Sequence, residues 1–352
     1  MMIYNPPRSV SLVLYPSSLP SPDKATHKWS KLSWACFVVL RMGRDMSDSG
    51  YDLRSLTGKL SQVVGEGNVL LDEPMSKHTT FKIGGPADVF VIPEDTGELE
   101  SVLEIVRSAH QSFFVLGCGS DLLVSDEGYR GAVIDLADGL LSVGYDGHCM
   151  TCQAGVPLKE ASEMACELGL EGLEFACGIP GSVGGACFMN AGAYGGCMAD
   201  VLESVRTINS AGVLQTIAVA DLDLGYRTSR VRKENLIVVE ATFRLHRGVS
   251  EDIRARMDEL TVRREQKQPL ELPSAGSTFK RPKGFYAGKL ITDAGLQGYQ
   301  VGGAAVSMKH AGFVVNLRGA TSADVHAVIR HVQDEVFRQF GVHLEPEVRF
   351  LP

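Results

Sequence analysis

Three glycine-rich stretches carry most of the chemistry that this sequence offers. The first, Leu116-Gly117-Cys118-Gly119-Ser120-Asp121-Leu122, follows an apolar run that reads as a strand. A Gly-x-Gly turn lets backbone N–H groups approach an anion, so a phosphate could sit there; a tight hairpin turn is the plainer reading of the same residues. A Rossmann fingerprint is excluded, because the third glycine position is Leu122 and strand-like LLVS follows where that motif requires a helix. The second stretch runs from Gly178 to Ala186 and on through Met189 to Gly195, almost stripped of large side chains. Its Ile179, Val183, Ala186 and Met189 suit burial, so it reads as backbone laid against a ligand rather than as a Gly/Ser linker. The third runs from Thr80 to Asp88. Three such stretches, none of them a dinucleotide fingerprint, suggest a large planar cofactor with a pyrophosphate tail threaded between two lobes.

Metal chemistry has less to recommend it. Cys149-x-x-Cys152 lies in MTCQAGV, which reads as a strand, and residues three apart on a strand point to opposite faces. A zinc site would need two further ligands at recognisable spacing, so no metal is expected. The eight cysteines have no framework spacing, which suits a reducing compartment and a cytoplasmic location. With 34 Lys+Arg against 42 Asp+Glu, a net charge of −8 and no basic stripe, nucleic-acid binding is disfavoured. Apolar runs fall short of the ~18–20 residues that a membrane helix needs, so no membrane partner is expected either.

The elements that must position these stretches are mixed. At 352 residues the chain has room for two or three domains. Residues 1–45 are Pro/Ser-rich and poorly periodic; they read as a disordered or misannotated N-terminal extension. A first lobe is expected over 46–112, a second over 113–248 and a last domain over 249–352. DVFVIP (88–93) reads as a strand, followed by a helix from Thr96 with Leu99, Val102, Leu103 and Val106 on one face. FFVLG, LLVS and GAVIDL read as short strands. A helix then carries Leu158, Ala161, Met164, Ala165 and Leu168, and strands follow at ESVRTIN, VLQTIAV and LIVVEATFRL. A helix from Glu251 shows Ile253, Met257 and Leu260 on one side and ends by Pro269. The clearest helix spans Ser322 to Phe340, with Val325, Val328, Ile329, Val332, Val336 and Phe340 in one stripe and Gly341 as its stop. The fold class is α+β, because the strand runs are too dense for strict alternation.

Six motifs in order resemble those of the UDP-N-acetylenolpyruvoylglucosamine reductases: HTTFKIGGPAD (78–88), VLGCGSDLLV (115–124), GIPGSVGGACFMNAGAYG (178–195), LGYRTS (224–229), PSAGSTFKRP (273–282) and EPEVRF (345–350). The likeness covers the chain from about residue 50 to its end. It implies a two-lobed FAD-binding domain of the PCMH/vanillyl-alcohol-oxidase type and a C-terminal α+β substrate-binding domain. It also implies non-covalent FAD, NADPH as reductant, and UDP-N-acetylglucosamine-enolpyruvate as a small-molecule substrate reduced in peptidoglycan precursor synthesis, by a monomer.

The resemblance assigns residues as well. Arg227 would hold the developing aci-carboxylate, Ser277 would donate the proton and Glu347 would orient the substrate. The backbone of Gly117, Cys118, Gly119, Ser120 and Asp121 would take the FAD pyrophosphate. Ile179, Pro180, Gly181, Ser182, Gly184, Gly185 and Ala186, with Asn190, Ala191 and Gly192, would run along the ribityl chain and flavin. Lys267 and Lys280 would meet the substrate diphosphate, with Tyr194 and Arg281 lining the same cleft. There are departures: Asp121 replaces the usual Asn, Cys118 a common glycine, and Arg281 an Asn found in many members. The short stretch between Arg227 and Arg263 resembles the subtype without an inserted lid. The rival reading is a flavin oxidase of the same superfamily that tethers FAD covalently, for which His78 and Cys118 are the available anchors.

Overall fold

The computed structural model describes residues 12–14 and 53–352. A first sheet has four strands in the order Val69–Pro74, Pro86–Val91, Tyr129–Asp135, Phe113–Leu116; the first pair is antiparallel and the others are parallel. Helices Leu53–Val64 and Thr96–Ser108 accompany it. Asp95 starts the second by accepting from the Glu98 N–H at 2.8 Å, and Leu99, Val102, Leu103 and Val106 form its buried face, as their spacing requires.

The second sheet orders six strands as Leu12–Leu14, Val143–Asp146, Cys149–Gln153, Ile237–Arg244, Leu202–Ile208, Leu214–Ala218. Leu12–Leu14 runs parallel to Val143–Tyr145, an edge strand supplied by the segment that sequence reading set aside; the rest of residues 1–45 lies outside the described residues. One hydrophobic cluster runs through both sheets, from Leu56, Leu99 and Ile134 to Val205, Phe243 and Leu245, so the two lobes share a core. Burial alternates along Cys149–Gln153: Cys149 is half-buried and Cys152 buried, as two faces of a strand demand.

The last unit has its own core. Helices Ala287–Asp293 and Ser322–Phe340 and the strands Gln300–Val301, Ala304–Val306 and Val314–Asn316 enclose Val306, Val314, Val325, Ile329 and Val332. Thr321 and Asp324 close a capping box at the start of the long helix, and Gly341 ends it in the left-handed region at φ 67°. Phe340 departs from the expected stripe: at 39% exposure it lies in a terminal turn that overhangs the core.

Two features tie this unit to the first sheet region. Phe81, Ile83 and Leu123 enter its core, and the chain's last strand, Arg349–Leu351, runs parallel to Leu122–Val124. Helix Ser250–Lys267, which sequence reading placed at the head of the last domain, packs Ile253, Met257 and Leu260 against Cys166 and Cys177 of the second lobe. Among the described residues no helix is long and apolar enough to cross a membrane. The seven cysteines of the described part are all free thiols.

Candidate active site

Arg227, Ser277 and Glu347 lie 50 or more residues apart in sequence and line one cavity of about 410 Å³. Arg227 sits at the corner of a tight turn closed by paired Gly225 and Thr228 backbone bonds, at φ +54°. That left-handed conformation is costly for a non-glycine residue and holds only where its surroundings impose it. One such restraint is visible: the Arg232 guanidinium donates to the Arg227 carbonyl at 2.8 Å.

Thr278 aligns the other two. Its N–H donates to Gly312 O and its carbonyl accepts from the Glu347 N–H, both at 2.8 Å, so the chains bearing Ser277 and Glu347 run side by side. Its hydroxyl accepts from the Val314 N–H at 2.8 Å, and the residue is 2% exposed.

Arg227 Nε lies 2.6 Å from Glu347 Oε1, close enough for an ion pair, although its N–H is not aimed along that line. Burial pushes the Glu347 carboxyl above the ordinary carboxylate range, and Arg227, Lys280 and Arg232 pull it back. A buried carboxylate beside a guanidinium leaves one guanidinium edge free to receive another anionic group. The site therefore suits a substrate that develops negative charge.

The 117–121 glycine loop lies beside the segment that carries this cavity's carboxylate, Glu347: the Arg349 N–H donates to Asp121 O at 3.0 Å. The N–H groups of Gly117, Cys118, Gly119, Ser120 and Asp121 donate to no other described residue. Unpaired donors in a glycine loop make a nest for an anion. A Cβ on Gly119, which sits at φ +58°, would lie 2.1 Å from His78 O, and one on Gly117 would lie 2.3 Å from Ser182 Oγ. A side chain at either position would force the loop away from its neighbours. Gly181 and Ser120 also face each other, so the 117–121 loop and the 179–186 run form one wall. The open donors and the bare backbone fit an FAD pyrophosphate and ring.

Several assigned residues have other work. Ser182 caps Val183–Met189, accepting from the Gly185 N–H at 3.3 Å. Asn190, at φ 45°, donates to Gly225 O and accepts from the Ala199 N–H, both at 3.0 Å. It thereby ties the glycine run to the turn that carries Arg227. Ala191 is buried, and Gly192 pairs with Cys197 in a two-strand ladder. Pro180 and Gly185 are exposed, and Gly184 and Ala186 are buried.

Of the four substrate residues, Arg281 lines the cavity, its guanidinium 4.0 Å from the Tyr286 ring centroid. Lys280 pairs with Glu345; Tyr194 packs beside Ile253 and Met257 under Arg263; Lys267 is exposed at the end of its helix. The cavity wall adds Tyr226, Gln297, Lys309 and His310, which sequence reading missed. Polar residues in turns between short strands carry no periodic signal. His78, Asp135 and Asp138 bring three potential ligand atoms within 4.8 Å of one another. Two of them are engaged: His78 Nε2 contacts Glu73 at 2.9 Å, and Asp135 accepts from the Ala137 N–H at 3.1 Å.

Comparison with known proteins agrees with this geometry. The FAD binding domain family matches residues 87–218, and the family of the UDP-N-acetylenolpyruvoylglucosamine reductase C-terminal domain matches residues 268–351. The reductase of Clostridium perfringens is 49% identical over 292 residues, covering 83% of this chain and 96% of the relative. That of Geobacillus thermodenitrificans is 50% identical over 293 residues, with the same coverage of both chains. The crystal structure of the Thermus caldophilus reductase superposes with a TM-score of 0.69 at 37% identity, over 81% of this chain and 98% of that one. The chain belongs to the UDP-N-acetylenolpyruvoylglucosamine reductase family.

Proposed function

We propose that Arg227, Ser277 and Glu347 carry the oxidoreductase reaction of this family, the NADPH-dependent reduction of UDP-N-acetylglucosamine-enolpyruvate to UDP-N-acetylmuramate in peptidoglycan precursor synthesis. The supporting observation is their convergence in one cavity beside a glycine loop with five open donors. FAD, held by the 117–121 loop and the 179–186 run, would supply the hydride-transfer chemistry between NADPH and the substrate. Overall, a hydride that originates on NADPH and one proton add across the vinyl ether, with NADP⁺ as the second product. Charge from the added hydride gathers on the substrate carboxylate, and the Arg227 fork stabilises it there. Ser277 Oγ gives its proton to the adjacent carbon, which is basic enough to take it from a positioned hydroxyl. Glu347 holds Arg227 by charge and keeps the guanidinium from turning away. Arg281, Lys309 and Gln297 lie on the same wall, where the first two offer positive charge to the nucleotide diphosphate.

The oxidase alternative is weaker. Burial, first of all, pushes the Cys118 thiol up to about 12, which makes it a poor nucleophile for a covalent flavin link. His78 is occupied by Glu73 and stacks on Phe90 at 4.1 Å. The net charge of −8 speaks against a nucleic-acid partner, and cysteines without framework spacing suit the reducing cytoplasm, where the family resemblance would have the enzyme act as a monomer on a small molecule. The test is anaerobic: NADPH should bleach the flavin of purified protein, and the enolpyruvyl sugar nucleotide should restore its colour. Bleaching without restoration by that substrate would overturn the reading.

A further inference from the structure

We propose that Arg349 is a positioning residue: stacked between a ring from each flavin lobe, it holds Glu347 against Arg227 and so sets the rate at which substrate reoxidises the flavin. The inference rests on the reading of Arg227, Ser277 and Glu347 given above. The C-terminal segment changes partners at Glu347. Before it, Glu345 O accepts from the Lys280 N–H at 2.9 Å, and the Glu347 N–H donates to Thr278 O at 2.8 Å, along the chain that carries Ser277. After it, the Arg349 N–H donates to Asp121 O at 3.0 Å, and Arg349–Leu351 runs parallel to Leu122–Val124, which follows the 117–121 loop. Glu347 is thus suspended between the C-terminal unit and the flavin loop, with only Val348 between it and Arg349.

The Arg349 side chain supplies the anchor. Its guanidinium carbon lies 5.4 Å from the Phe114 ring centroid and 4.8 Å from that of Phe188. Phe114 belongs to the strand that leads into the 117–121 loop, and Phe188 to helix Val183–Met189 of the second glycine stretch. A cation over two rings is attracted by both, most strongly where water is excluded, and Arg349 is half-buried. A planar guanidinium fits such a slot as an ammonium does not. The Phe188 carbonyl also accepts from the Ser229 hydroxyl at 2.8 Å. Ser229 in turn caps the short helix Arg230–Lys233, whose Arg232 donates to Arg227 O. One framework therefore holds both members of the ion pair, Arg227 through Ser229 and Arg232, and Glu347 through Arg349.

The experiment follows the two anaerobic half-reactions of the flavin-loaded protein by stopped-flow absorbance over a range of substrate concentrations. Arg349→Met keeps an unbranched stem and loses the charge and the plane. It should bleach with NADPH at the wild-type rate and reoxidise with a limiting rate roughly 10²-fold lower, at an unchanged half-saturating concentration of substrate. Arg349→Lys keeps the charge without the plane and should recover part of that loss. Because Arg349 acts through Glu347, adding Arg349→Met to Glu347→Gln should slow reoxidation no further than Glu347→Gln alone. Circular dichroism checks the fold of each variant, and Arg349→Lys decides by the same selective loss if Arg349→Met is unfolded. Wild-type reoxidation by a folded variant, equal slowing of both half-reactions, a change confined to the half-saturating concentration, or losses that multiply in the double variant would each overturn the inference and leave the reading of the site intact. A wild-type flavin whose colour the substrate does not restore would overturn both.

Discussion

Thr278→Val perturbs the site without touching a group that lines the cavity. Valine fills nearly the same volume, so the substitution subtracts one acceptor from a residue that is 2% exposed. The Val314 N–H, now 2.8 Å from Thr278 Oγ1, is left buried and unpaired. A buried unsatisfied N–H costs about 1–3 kcal/mol, which urea unfolding should read as a lowered midpoint with an unchanged slope. The backbone bonds from Thr278 to Gly312 and Glu347 remain, so the protein should still fold. Repacking around the unpaired N–H should shift the chain that carries Ser277, and a displacement near 1 Å costs on the order of 10²-fold in a positioned proton transfer. Stopped-flow measurement should therefore show NADPH bleaching the flavin at the wild-type rate and the sugar nucleotide restoring it slowly. If stability falls and both half-reactions keep their rates, Thr278 does not position Ser277. If bleaching slows equally, the effect is general loosening.

Other consequences are equally specific. Burial, with help from Asp138, pushes the Asp135 carboxyl up to about 8, so between the ordinary carboxylate range and pH 8 the folded state keeps a proton that the unfolded chain has lost. Stability must then fall as pH rises through that window, by up to ~1.4 kcal/mol per unit, and Asp135→Asn should flatten the stretch between pH 7 and 8 in urea unfolding. Gly119→Ala would place a methyl 2.1 Å from His78 O in a left-handed turn, and the purified variant should be colourless and regain no flavin on dialysis against FAD. Arg227→Lys keeps the charge and loses the fork; reoxidation by substrate should slow by roughly 10²–10³, with bleaching by NADPH unchanged.

Sequence reading succeeded where the signal is local. The stripes of Thr96–Ser108 and Ser322–Phe340 state their own period, and Gly341 states the end of the second; the caps Asp95 and Thr321 emerge only in the structure. It fell short where a partner must be chosen. Ile253, Met257 and Leu260 announce a buried face and say nothing of what buries it, which proved to be the second lobe. Leu12–Leu14 is too short to declare itself a strand without Val143–Tyr145 beside it. Residue chemistry alone gave no reason to group Arg227, Ser277 and Glu347; the family motifs did so, and the cavity brings them together. Asn190 was legible as part of a glycine run, and its task, a bridge from Ala199 to Gly225, depends on a left-handed backbone that sequence does not display. Lys309 and His310 follow a strand of three residues and gave no pattern to read.

The most direct measurement is a pair of anaerobic half-reactions on Ser277→Ala. Ser277 lines the cavity with Arg227 and Glu347, and removal of its hydroxyl leaves their ion pair in place. Reduction by NADPH should proceed at the wild-type rate, and reoxidation by UDP-N-acetylglucosamine-enolpyruvate should fall beyond the ~10²–10⁴ of an ordinary general acid. Reoxidation at the wild-type rate would show that the proton comes from elsewhere and would contradict the account.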